Sequence, residues 1–408
     1  MTGKSIVRPS RGGSGIEPLP SAADAAGIWR SIMVESASQE VLMSRKTKAV
    51  AGRRANIAKH GKGLGGFGFG ALIRNAVVTG GVAAGLGAWA LAPRSRIEAR
   101  RYRVPSVPYV HYAHRGLHDA GSGLSVGTVS ERCAYVDLAR RSALKAGYGS
   151  ADFDGPIAPE NSLASFAAAR EAGYGIELDL QLTRDGQVVV VHDADLKRVA
   201  GDPRRIKDLT YEELTRIPLF PDPAKPGDAV AATRADGKWD EKPAGYYQHV
   251  PLFSDVLAVV GGRVPIIVEY KFNDYGWDDS CEELMRKGSE LLAAYDGPYV
   301  IESFHPSAVR WYRENCPEVN RGQLAEEGDP TKNWKDWLCG LLVFNWLGRP
   351  DFVAYDWHGG DSAQARFARK LGATMVSWTV RSSVEFQRSA PYFDHMIFEA
   401  FVPDSPAR

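Results

Sequence analysis

Beyond Pro108 the chain alternates short apolar runs with stretches of helical spacing, the texture of repeated β/α units. The pattern predicts strands around 110–114 and over 174–183, 188–192, 264–271, 299–303, 352–356, 374–380 and 395–399, with a weaker one near 320. Helices fall between them, for example over 162–173 and 278–295. That makes nine strands for the eight places of a barrel. Asp185-Gly186 is a strong hairpin signal, so the run VVVVH at 188–192 folds back on its neighbour and takes no barrel place of its own. With Asp185 and Gly186 as a two-residue loop, Arg184 pairs with Gln187 and Asp179 with His192. Glu177, Asp179 and His192 then share one face.

Residues 1–70 carry no sustained periodicity and a basic run that includes Arg45, Lys46, Lys48, Arg53 and Arg54; such a segment is expected to be disordered. Residues 75–93 hold no charge, and a helix of that length just crosses a ~30 Å hydrocarbon layer at ~1.5 Å per residue. The stretch is a candidate single-pass transmembrane helix that would place the protein at a membrane, uncleaved; the competing reading is a short buried helix. Basic residues on both flanks leave the orientation open. The catalytic part is expected over 105–408.

Lys plus Arg number 50 against 49 Asp plus Glu, which gives no field for steering nucleic acid and excludes it as an expected partner. Four scattered cysteines form no zinc or redox motif and are expected as thiols.

Glu177 and Asp179 interrupt the apolar run IELDL, and a carboxylate inside a barrel strand is costly unless a cation or a donor compensates it. Glu269 and Lys271 share a face at the end of another strand, where barrel active sites sit. Three carboxylates from two strands suit a hard divalent cation, Mg²⁺ or Ca²⁺. The tripeptide His114-Arg115-Gly116 follows the first strand. Arg115 can fork onto phosphate oxygens, His114 can move a proton near neutral pH, and Gly116 lets the backbone approach a ligand. In PENS, 159–162, Asn161 or Ser162 is expected to cap the following helix and Glu160 to face the site.

Taken in order, HRG (114–116), PENSLASF (159–166), IELDLQLTRDGQVVVVHD (176–193), VEYK (268–271), ESF (302–304) and SWTV (377–380) resemble the glycerophosphodiester phosphodiesterase family. The resemblance implies an irregular (β/α)8 TIM-type barrel, with the site at the strand C-termini. It further implies a divalent cation on Glu177, Asp179 and Glu269, His114 and His192 as an acid/base pair, Arg115 and Lys271 on the phosphate, and Glu160, Asn161 and Trp378 lining the site. The implied reaction is hydrolysis of a small glycerophosphodiester to an alcohol and glycerol 3-phosphate. A lysophospholipid or polyglycerol phosphate substrate at the membrane is the first rival, drawn from the candidate anchor and the apolar segment 337–347. A non-catalytic tethered binding protein is the second. The sequence departs from the family pattern at Glu399, which stands where a Thr-Asp pair is usual. It also inserts 117–158, with a helix over 131–147, and 220–248; both insertions are expected to overhang the mouth.

Overall fold

In the computed structural model the apolar runs become strands that close on themselves. The structure describes residues 88–221, 230–231, 246–272 and 276–406. Two units divide the chain, 1–79 and 80–408. The first, with the basic segment, lies outside the described residues, as do 80–87 and most of the insertion 220–248.

Nine strands form the main sheet: β1 Tyr112–Ala113, β2 Gly175–Leu182, β3 Val188–Val190, β4 Ile266–Tyr270, β5 Tyr299–Ser303, β6 Arg321–Ala325, β7 Phe352–Asp356, β8 Thr374–Val380 and β9 His395–Phe398. Their order is β1-β9-β8-β7-β6-β5-β4-β2-β3, and β1 also pairs with β2, which closes eight parallel strands into a TIM-type barrel. Only β3 is antiparallel, lying on β2, so the extra run is the outer arm of a hairpin as expected. The weak signal near 320 is a full strand, β6.

The hairpin register differs from the expected one. Leu180 pairs with Val190 and Leu182 with Val188, and Thr183 N–H donates to Gln187 O. The loop therefore has three residues, Arg184-Asp185-Gly186, with Gly186 in the left-handed region at φ 72. A three-residue loop closed by a left-handed glycine uses the same Asp-Gly signal as the tighter turn. Every pairing slips by one. His192 lies beyond the ladder instead of opposite Asp179.

The helices around the barrel include α1 Val129–Lys145, α2 Leu163–Ala172, α3 Phe253–Val260, α4 Asp279–Ala293, α5 Pro306–Asn315, α6 Trp334–Gly340, α7 Ala363–Lys370 and α8 Ser383–Ser389. The expected helix of the first insertion is α1. The apolar segment 337–347 is split between α6 and a short turn of helix, with Cys339, Leu342 and Trp346 buried against the barrel. No helix among the described residues is long and apolar enough to cross a membrane. All four cysteines are free thiols.

Alternation sets what the barrel interior contains. Tyr112, Ile267, Val300, Val376 and Ile397 form an apolar layer inside the strands. Two residues further along the same strands or just beyond them stand His114, Glu269, Glu302, Trp378 and Glu399. Side chains two apart share a face, so the polar layer sits directly above the apolar one, toward the strand C-termini. Each fully buried apolar side chain contributes roughly 1.5–3 kcal/mol, which offsets the cost of lodging carboxylates in the next layer.

Candidate active site

Parallel pairing brings the acids into a row. Asp179 of β2 pairs in register with Glu269 of β4, and Glu269 with Glu302 of β5. Glu177, one step below Asp179 on the same face, joins them. Ligand oxygens of Glu177, Asp179 and Glu269 lie within 4.8 Å of one another, and all three residues are buried. Lys271 Nζ stands 2.8 Å from Glu269 Oε2 and 3.3 Å from Asp179 Oδ1. Arg115 Nε is 3.5 Å from Asp179 Oδ2.

Four buried carboxylates against two cations leave negative charge uncompensated, and the acids register it. Burial, then the neighbouring acids, pushes the Glu177 carboxyl well up. Burial lifts Glu269 to about 7 although Lys271 opposes it. Glu302 is raised by burial and by Glu269. Asp179 moves down: burial alone would raise it, but Lys271, His192 and Arg115 outweigh burial. Glu302 Oε2 is buried without a hydrogen-bond donor among the described residues, and Asp179 Oδ1 faces the Lys271 ammonium at 3.3 Å without an aligned hydrogen bond. A cluster of hard oxygen donors with surplus charge and undonated oxygens fits a divalent cation.

The two histidines arrive by different routes. His114 follows β1 directly. Its Nδ1 donates to Glu399 Oε2 at 2.7 Å, and Nε2 lies 3.9 Å from Glu177 Oε2. Burial would raise the Glu399 carboxyl, but His114 and Arg381, whose Nε donates to Oε1 at 2.6 Å, hold it well below the usual range. His192 is placed by the side chain of Gln181, whose two amide hydrogens are shared among the carbonyls of Val191, His192 and Asp193 at 2.7–3.0 Å. His192 Nδ1 donates to Asp193 Oδ1 at 2.6 Å. Both imidazoles are shifted down from the ordinary value, first by burial. In each the Nδ1–H is committed to a carboxylate, which leaves Nε2 as the nitrogen able to exchange a proton.

Arg115 adopts a left-handed backbone, φ 56, as does Asn161 at φ 54, a conformation that costs a side-chain-bearing residue roughly 1–2 kcal/mol. Hydrogen bonds hold it: Arg115 N–H donates to Glu177 Oε2 at 3.0 Å, and Arg115 O accepts from Asn161 N–H at 2.9 Å. The guanidinium donates to Glu160 Oε1 at 2.8 Å. Burial would raise the Glu160 carboxyl, but Arg115 and Arg198 bring it down to about 2, so it stays ionised. Capping falls to Ser162, whose side chain accepts from Ser165 N–H, while Asn161 Nδ2 donates to Asp179 Oδ2 at 2.8 Å. Gly116 serves a different end from the one its position predicts. A Cβ there would lie 2.6 Å from Ser165 Oγ, so the glycine admits α2 rather than a ligand. Trp378 is half-buried, edge-on to Phe304, with its indole N–H unpartnered among the described residues.

Sequence reasoning missed four contributors. Glu302 sits in the quoted ESF but was given no role. Gln181 lies within the hairpin on β2 and Arg198 follows it, and Arg198 bridges Glu160 to Asp193 with contacts of 2.6–3.0 Å. Ser122, from the insertion, touches both Glu160 and Glu399. Only Glu302 carried a legible signal, an acid two residues beyond a buried apolar strand position.

Residues 150–407 match the model of the Glycerophosphoryl diester phosphodiesterase family. The glycerophosphodiester phosphodiesterase of Caldanaerobacter subterraneus is 29% identical over 241 residues, 58% of this chain and 86% of that protein. Human glycerophosphodiester phosphodiesterase 1 is 38% identical over 279 residues, 61% of this chain and 74% of its own length. Among solved structures, the glycerophosphodiester phosphodiesterase of Thermotoga maritima aligns with a TM-score of 0.44 at 19% identity, over 72% of this chain and 96% of that one. The barrel assignment rests on the strand pairing above. His114, Arg115, Ser122 and α1 all precede the matched residues.

Proposed function

The chain belongs to the glycerophosphodiester phosphodiesterase family and is a phosphoric diester hydrolase, and from that premise we propose that His114 and His192 are its acid/base pair in a reaction that depends on a divalent cation. Hydrolysis of a glycerophosphodiester yields an alcohol and glycerol 3-phosphate. The observation that carries the reading is the convergence of an acidic triad, two carboxylate-held imidazoles and two cationic side chains on one face of the barrel. Glu177, Asp179 and Glu269 would hold the cation, which supplies positive charge to a non-bridging phosphate oxygen. Arg115 and Lys271 add donors for the same phosphate and fix its orientation. One histidine Nε2 takes a proton from the attacking hydroxyl, and the other returns one to the departing alcohol.

Room for that alcohol lies next to the phosphate-binding lysine. A cavity of about 630 Å³ opens beside Lys271, between the β2–β3 loop and the first turn of α4. Its wall joins polar Thr183, Arg184, Asp185 and Ser280 to apolar Leu182, Phe272 and Leu284, a lining that can take a headgroup with both hydroxyl and methylene surface. The test is release of glycerol phosphate from a panel of glycerophosphodiesters and lysophospholipids, with and without chelator. The expected result is chelator-sensitive turnover of the soluble diesters. Turnover confined to lysophospholipids overturns the substrate assignment, and undiminished turnover after exhaustive chelation overturns the metal dependence.

A further inference from the structure

The insertion after the HRG tripeptide does not merely overhang the mouth. His118 to Gly123 runs back across it, and Ser122 makes two contacts there. Its backbone N–H donates to Glu160 Oε2 at 2.5 Å, and its hydroxyl donates to Glu399 Oε2 at 2.8 Å. Those two carboxylates are the partners of adjacent residues: Glu399 holds His114 Nδ1, and Glu160 holds the Arg115 guanidinium. One serine thus grips the supports of both.

A Cβ on Gly121 would lie 2.5 Å from Glu160 Oε2, and one on Gly123 would lie 2.5 Å from the Glu399 carboxylate, so only Gly-Ser-Gly brings the backbone this close to both acids. The loop is braced from behind. Ser122 O accepts from His118 Nε2 at 3.1 Å, and the other nitrogen of that fully buried ring meets the Tyr135 hydroxyl of α1 at 3.2 Å. Asp119 accepts from the N–H groups of Ile157 and Ala158, and Glu160 N–H donates to Ala120 O. The insertion therefore fixes Ser122 from both ends.

We propose that Ser122 is a positioning residue that holds His114 and Arg115 in working orientation through Glu399 and Glu160. The proposal rests on the activity reading above and adds to it a function for the insertion. Its two arms are separable. Among the described residues the hydroxyl reaches only Glu399, hence His114 and proton transfer; the backbone arm reaches Glu160, hence Arg115 and phosphate binding.

Three variants of the full chain test it on a soluble glycerophosphodiester. Ser122→Ala removes one charge-assisted hydrogen bond and should lower kcat about 10-fold with KM within about twofold. Ser122→Thr, which keeps the hydroxyl, should restore most of kcat. Gly121→Ala drives a methyl onto Glu160 and should raise KM about 10-fold with the smaller effect on kcat. Wild-type kcat in Ser122→Ala overturns the proposal. So does a loss that threonine fails to restore, or one in which kcat and KM move together in both the alanine variants, since either assigns the loop a merely structural part. A wild-type chain inert on every diester overturns the activity reading and the proposal together, whereas an active wild type beside an unchanged Ser122→Ala overturns the proposal alone.

Discussion

Asp179 has Lys271 Nζ at 3.3 Å and the Asn161 amide at 2.8 Å, yet it shares a pocket with Glu177 and Glu269, whose carboxyls burial pushes up. With Glu269 raised to about 7, the cluster holds protons near neutrality that a bound cation must displace. Cation binding therefore releases protons, and affinity rises with pH through about 7. Adding Mg²⁺ or Ca²⁺ to weakly buffered protein should acidify the solution, more at about pH 6 than at about pH 8. Asp179→Asn should abolish activity, the acidification and any metal-dependent rise in Tm; a variant that binds the cation as tightly as wild type removes Asp179 from the ligand set. The histidines give a second prediction at this scale. His114→Ala and His192→Ala should each lower kcat by ~10²- to 10⁴-fold, and the double variant should be little worse than the poorer single one, because groups acting as a unit lose their effect together. Near wild-type turnover in both single variants would move the proton shuttle elsewhere.

What placed these residues was legible wherever the strand period governed. Glu269 and Lys271 follow from counting in twos along an apolar run, and the structure keeps that count across β2, β4 and β5; Trp378 came only with the family resemblance, and the pairing of β8 with β9 shifts register between Ser377 and Val380. His192 broke the count. The Asp-Gly signal is common to two- and three-residue loops, so sequence alone set the register one residue off. Beyond the ladder the histidine is carried by a segment whose backbone Gln181 captures at 191–193, a side-chain-to-backbone bond that no periodicity announces. Ser122 was invisible for the same reason: its partners lie far along the chain and it belongs to no repeating pattern. The Gln181 bond can be tested directly. Gln181→Leu leaves buried carbonyls without a donor, which costs roughly 1–3 kcal/mol, and frees the segment that carries His192. The expected outcome is a kcat lowered at least about 10-fold together with a lower Tm, while His114-dependent steps stay intact. A variant with wild-type kcat would mean that Asp193 and Arg198 alone suffice to hold the imidazole.

At the scale of the whole molecule the open matter is how the chain leading into the barrel relates to a membrane. Residues 75–93 carry no charge and are proposed as an anchor, but the last of them belong to the barrel. Trp89 stacks on Trp346 at 5.5 Å beneath the Arg349 guanidinium, which sits 4.7 Å from its ring, and Leu91 packs against the core around β7. Arg94 then donates to the carbonyls of Pro317 and Val319 and pairs with Asp351 at 3.2 Å. These partners precede β6 and β7, so the segment docks at the strand N-termini, opposite the catalytic mouth. Any inserted portion must end before Trp89, and residues 75–88 alone span only ~21 Å as a helix, short of a ~30 Å layer. An anchor therefore has to draw on residues before 75 as well. A shortened chain starting at Arg101 would confound the matter, since it strips Arg94 from Asp351 and exposes apolar surface. A chain beginning at Ala88 keeps every one of these contacts. It should match the full chain in Tm and in turnover of soluble diesters, and differ only in partition: the full chain with membranes, the shortened one in the soluble fraction without detergent. Equal solubility of the two would rule the anchor out, and loss of turnover on shortening would instead assign residues 1–87 a part in the enzyme itself.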